Sequence, residues 1–238
     1  MPSENTFADR FGRGKKLNET IKSFDPIFNP FDVSLKTPAQ DTFLEGLAAK
    51  SDLVNAIRSD YTSSMEIRNK MIKDLKTRSS MVRNFVESVV AYKVYWTALR
   101  NVVKKILNYK PPKAPKTVTN VTEAEKKKRN RGEQSYADLA NLLKNLISLL
   151  EGITGYAPVN PQLTIVELTA LFDSLVTQNT EMGNKAGKLD VAVVERKGLF
   201  DGPGGLKERM KATKASVRAQ YGNTSAEYLS VKGIGYSS

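Results

Sequence analysis

Four segments carry residue types whose spacing could do chemistry. Phe11-Gly12-Arg13-Gly14-Lys15-Lys16 has the glycines and lysine of a phosphate-binding loop. Such a loop needs an apolar strand before it and a Ser or Thr after the lysine, and Leu17 stands there instead. Asp201-Gly202-Pro203-Gly204-Gly205 is acidic and glycine-rich like a calcium loop, but it offers too few oxygen ligands and is better taken as a hairpin turn. The carboxylates Asp173, Glu181, Asp190 and Glu195 are strung along one expected helix, not gathered with histidine into a di-metal set. Lys126, Lys127, Lys128, Arg129 and Arg131, with Lys110, Lys113 and Lys116 upstream, form the densest positive cluster and could neutralise several phosphates. The cluster has no aromatic residue to stack on bases, so a solubilising linker and a polyanion-binding segment are both open readings.

Absent residue types narrow the chemistry further. The 238 residues include no cysteine, which excludes disulfides and thiolate metal sites, and no histidine. Loss of histidine removes the commonest general base, the commonest zinc ligand and serine–histidine or cysteine–histidine mechanisms. Carboxylate, lysine or magnesium chemistry stays formally open, but no spacing gathers it. The expectation is a protein that is not an enzyme and has no cofactor, resident metal or small-molecule substrate. Met1 to Lys22 mixes charges with polar residues and lacks the apolar core of a secretory signal. No stretch approaches the roughly 20 apolar residues of a membrane span, so a cytoplasmic protein is expected and a membrane partner is not.

The elements that must position these residues come in two copies. Phe28-Asn29-Pro30 through Leu47 lies over Tyr156-Ala157-Pro158 through Leu175 without a gap, at an offset of 128. Under it Pro30 meets Pro158, Leu35 meets Leu163 and Arg68 meets Arg196; a three-residue insertion around Gly202 then brings Leu75-Lys76 onto Leu206-Lys207. Leu44, Leu47, Val54, Ile57, Tyr61, Met65, Ile72 and Leu75 form one helical stripe in the first copy. Leu168, Phe172, Leu175, Met182, Ala186, Leu189, Val193 and Phe200 form its counterpart. A second helix is expected from about Leu75 to Leu107, with a bend possible near Ala91-Tyr92, and its partner from Leu206 to Tyr221, stopped by Gly222. Ser135 caps a bridging helix through Leu150. The fold class expected is therefore all-α: an elongated bundle of about five helices built from two tandem hairpins joined by a Pro/Lys-rich linker. The boundaries are an N-terminal extended arm over 1–34, a first hairpin over 35–108, a basic linker over 109–133, a bridging helix and second hairpin over 134–222, and a C-terminal tail over 223–238. Tyr228, Val231 and Ile234 are expected to tuck that tail against the bundle.

The formal charge of +12 is uneven: 0 over 1–34, −1 over 35–69, +7 over 70–108, +6 over 109–131, −4 over 132–205 and +4 over 206–238. Solvated outer faces account for this pattern, as does an electropositive surface for nucleic acid, anionic lipid or an acidic protein. Arg68 and Arg196 fall at equivalent positions on the apolar stripe, where a guanidinium needs a carboxylate or helix-end carbonyls. A repeated inter-helix salt bridge that fixes register is expected, with the equivalent pair Ser51 and Asn179 in a similar role. Val82, Phe85, Val89, Tyr95, Trp96, Leu99 and Val103 lie on an apolar face that exceeds what one hairpin covers and are the candidate interface.

The C-terminal half carries an ordered set of short motifs: Ser135-Tyr136, Tyr156-Ala157-Pro158-Val159-Asn160, Leu163-Thr164, Leu168-Thr169-Ala170, Val217 to Gly222, Ser225-Ala226-Glu227-Tyr228 and Val231-Lys232-Gly233-Ile234. With them the chain resembles a family of bacterial helical proteins of no established activity, over about Asp41 to Ile234. The resemblance implies a bacterial origin and the two-hairpin layout, and it supplies no functional residues. The function expected is a non-enzymatic structural or interaction protein that binds itself or another protein. The alternative is a nucleic-acid-binding protein using the basic linker and the basic second helices.

Overall fold

Helix dominates because long stretches lack helix-breaking residues while apolar side chains return every three or four positions. The computed structural model describes residues 4–24, 26–109 and 135–236. Among the described residues there are seven α-helices and no strand: α1 Glu4–Lys22, α2 Thr37–Ser88, α3 Trp96–Asn108, α4 Tyr136–Glu151, α5 Ile165–Asp201, α6 Leu206–Tyr221 and α7 Ala226–Lys232. Short 3-10 segments occupy Val33–Leu35, Val90–Tyr95 and Pro161–Leu163. The protein is all-α, as expected.

The repeat is visible in the backbone. α2 begins at Thr37 and α5 at Ile165, positions 128 apart, and each follows a 3-10 turn at the same distance. Both turns are capped in the same way. Ser34 N–H donates to Asp32 Oδ1 at 2.9 Å, and Gln162 N–H donates to Asn160 Oδ1 at 3.0 Å.

The chain divides into two compact units. Unit 1 comprises residues 1–59 and 187–238, so it holds α1, the start of α2, the end of α5, α6 and α7. Its core gathers Leu17, Ile21, Leu47, Phe200, Leu206 and Val217, with the Phe7 and Phe200 rings edge to face at 5.0 Å. Unit 2 comprises residues 60–186 and holds the end of α2, α3, α4 and the start of α5. Its core gathers Leu75, Val82, Leu99, Leu143, Leu150 and Leu168.

The hairpin of the first copy turns later than expected. No glycine or proline interrupts Leu75 to Ser88, so α2 runs through Leu75 for 52 residues and breaks at Val89, next to the expected bend. The Tyr92 hydroxyl donates to Gly155 O at 2.6 Å, the Tyr95 hydroxyl to Gly152 O at 2.8 Å and Trp96 Nε1 to Val86 O at 3.0 Å, which fastens that turn. In the second copy the turn falls at Gly202-Pro203-Gly204-Gly205 as expected. A Cβ at Gly202 would stand 2.6 Å from Gly198 O, and Gly204 has φ +66°, so the turn requires glycine at both.

The ends of the chain need correction. Residues 4–22 form α1 and are not an extended arm, because Phe7, Leu17 and Ile21 bury one face in the core of unit 1. The tail carries α7, and Val231 and Ile234 are buried with Tyr228 packed beside them, as expected. Two helices are thus added to the expected five. Gly222 ends α6 with φ +99°, and Ser135 caps α4 in a reciprocal capping box with Asp138. The Ser135 hydroxyl and backbone N–H hold the Asp138 carboxyl below its usual pKa.

Candidate functional site

A buried polar cluster in unit 2 surrounds Tyr136, the first residue of α4. Arg68 on α2 lies over its ring, with Cζ 3.4 Å from the centroid, and Asn179 on α5 donates from Nδ2 to Tyr136 O at 3.2 Å. The Tyr109 ring tilts against Tyr136 at 6.2 Å. Burial pushes the Tyr109 hydroxyl well above its ordinary pKa while the Arg68 charge pulls it back in part. Arg68 Nε, Tyr109 Oη and Asn179 Oδ1 are buried without hydrogen-bond partners among the described residues. Arg68 and Asn179, two of the four expected register residues, are therefore brought together, but among the described residues the partner of the Arg68 guanidinium is a ring, not a carboxylate. A flat guanidinium is weakly hydrated and tolerates an aromatic face in place of an ion pair.

Unit 1 repeats the stack of an arginine on an aromatic ring. Arg196 on α5 is 1% exposed and lies over the Phe7 ring of α1 at 4.2 Å. Each arginine thus lies on one side of the linker in sequence and its ring on the other. Ser51, the counterpart of Asn179, is half-buried, and no side-chain hydrogen bond supports its register role among the described residues. Arg209 adds a third stacked guanidinium, 4.1 Å over Phe43, and donates to Ser34 O at 2.9 Å.

The candidate interface is not a free surface. Val82, Leu99 and Val103 are fully buried, and Phe85, Val89, Tyr95 and Trp96 pack against the same core. Helix α4 and the start of α5 supply its apolar cover, so the face is closed within the chain. Lys110, Lys113, Lys116, Lys126, Lys127, Lys128, Arg129 and Arg131 lie outside the described residues.

Three surface features remain. Phe31 and Val159, equivalent in the two copies and each one residue after the shared proline, are fully exposed. Ile27 and Val33 are exposed near Phe31, and Val166 lies close in sequence to Val159. Hydrogen bonds hold both leads. The Tyr221 hydroxyl donates to Pro26 O and Gln220 Nε2 to Ile27 O, while the Tyr156 hydroxyl donates to Leu163 O at 2.8 Å. Burial raises Tyr156 to about 12.

In unit 1 a groove of about 740 Å³ is lined by Gly46, Ala49 and Leu53 of α2 and by Gly198 and Leu199 of α5. Lys50 and Glu195 also line it and form an ion pair. In unit 2 a cleft of about 470 Å³ is lined by Arg83, Arg100 and Lys104 around one acid, Glu87, whose carboxyl Arg100 holds below its usual pKa.

Among the described residues no group of acidic side chains could hold a metal, and no helix is long and apolar enough to cross a membrane. No protein-family model, curated protein or solved structure matches this chain.

Proposed function

We propose that the chain is a non-enzymatic helical protein that acts by binding protein through exposed apolar residues, a second copy of itself foremost. One observation carries this reading: the two copies present a fully exposed apolar residue, Phe31 or Val159, at the same place on a hydrogen-bonded lead. A lone exposed apolar residue is ordinary, but repetition on held backbone lowers the entropy that ordering would otherwise cost on binding. Light scattering across a concentration series tests it. The expected result is a mass above the 26.4 kDa of one chain at high concentration, returning to one chain in the double variant Phe31→Ser, Val159→Ser. A wild type that stays at one chain throughout, or a double variant that still associates, would count against it.

The basic cleft favours a second reading, binding of nucleic acid. Arg83 and Lys104 stand beside the Arg100–Glu87 pair and leave the cleft net positive. Oligonucleotide affinity should then fall steeply with salt and weaken in Arg83→Glu, Lys104→Glu. An affinity indifferent to both changes removes the cleft from consideration.

A further inference from the structure

The cores of unit 1 and unit 2 are each assembled from the two halves of the chain, before and after the linker, in nearly equal parts. In unit 2, nine of the nineteen fully packed core residues precede the linker and ten follow it. In unit 1, seven of thirteen precede it and six follow. Neither half of the chain contains a complete core. The buried polar contacts also run across: Gln40 Nε2 donates to Thr213 Oγ1 at 3.0 Å in unit 1, and Gln178 Nε2 donates to Ser64 O at 3.1 Å in unit 2. The stacked pairs Arg68 with Tyr136 and Arg196 with Phe7 do the same in opposite directions.

Residues 110–134 leave after Tyr109 and return before Ser135, and the rings of Tyr109 and Tyr136 lie 6.2 Å apart. A chain of 25 residues could span about 80 Å when extended, so it is far longer than its ends require.

We propose that residues 1–109 and 135–238 are each other's binding partners, so that the first half of one chain pairs with the second half of a second copy to build the same two units. Every contact needed for such exchange already exists within one chain; only its covalent connection changes. Within a dilute chain the linker keeps the halves at an effective concentration on the order of millimolar, so the closed monomer wins there. Exchange becomes competitive when chains refold together at high concentration. This inference concerns the cores and does not rest on what Phe31 or Val159 binds.

The test uses the full chain with a protease site placed between Thr117 and Thr122, cut after folding. The two fragments should leave a sizing column together as one particle of about 26.4 kDa. Uncut protein refolded from urea at ~100 μM should yield several-fold more dimer than at ~1 μM, and cutting the linker should convert that dimer into particles of single-chain mass. Fragments that separate in native buffer overturn the proposal. So does refolding that gives only single-chain mass at every concentration. A dimer whose mass survives the cut also overturns it, and leaves association through the exposed leads standing.

Discussion

Units 1 and 2 hold the same stacked arginine on the same frame, yet they end their helices and finish their surfaces differently. In unit 2 the 52-residue α2 passes its arginine and continues until Val89, and its turn is fastened by the hydroxyls of Tyr92 and Tyr95. In unit 1, α5 stops at Asp201 in a glycine turn, and glycines open a groove beside it. The groove's glycines Gly46 and Gly198 correspond to Ser174 and Lys70, which carry side chains. The shared frame marks what the fold requires, and the differences mark where the two halves were free to diverge.

Phe200→Ala should give the largest effect. Phe200 is fully buried against Phe7, and the truncation should cost about 3 to 5 kcal/mol in urea unfolding. Trp96, the only tryptophan, sits in unit 2, so its fluorescence compared with circular dichroism reports whether damage in unit 1 reaches unit 2. Coincident midpoints are expected because α2 and α5 run through both units. Separated midpoints would make the units independent.

Alkali should act next, through unit 2. Tyr156 is raised from 10.0 to about 12 by burial, so the folded state favours the neutral phenol. Its contribution is fully present below pH 10 and is lost as pH climbs from 10 towards 12. Tyr156→Phe should flatten that loss in a pH series of urea midpoints, and an unchanged slope would assign it elsewhere.

Arg68→Met separates ring stacking from charge. Arg68 Nε lacks a partner, and Met fills a similar volume, so stability should change by no more than about 1 kcal/mol, in either direction. A loss above about 2 kcal/mol would show that the guanidinium itself holds α2 against α4. The smallest effect is expected from Gly198→Ala. Nothing lies within 4 Å of the added Cβ, so the helix should gain about 0.5 to 1 kcal/mol by thermal melting. Gly14→Ala is the contrast, since its Cβ would stand 2.7 Å from Leu206 Cδ1 and the gain should vanish or reverse.

Much of the frame was legible from period and duplication. The glycine turn, the Gly222 stop, the Ser135 cap and the paired arginines all rest on residue types with few structural alternatives. What escaped has identifiable causes. α1 has low mean hydropathy because charges fill its outer face, although Phe7, Gly14, Leu17 and Ile21 keep helical spacing. The ring partners were hidden by one residue: nine residues lie between Lys22, the end of α1, and the cap Asp32, but only eight lie between Glu151, the end of α4, and the cap Asn160. That shift places Phe7 opposite Tyr136 only after a gap. The face from Val82 to Val103 was misassigned because periodicity reveals that a helix needs cover and says nothing about which segment supplies it.

The meeting of Tyr109 and Tyr136 also bears on how the gene can vary. Where two flanking residues meet, the length of chain between them is nearly free. Doubling the 25 residues would add only about 0.6 kcal/mol of closure entropy. This position is therefore the natural port for splicing in a foreign domain, and relatives that differ in length should differ here first.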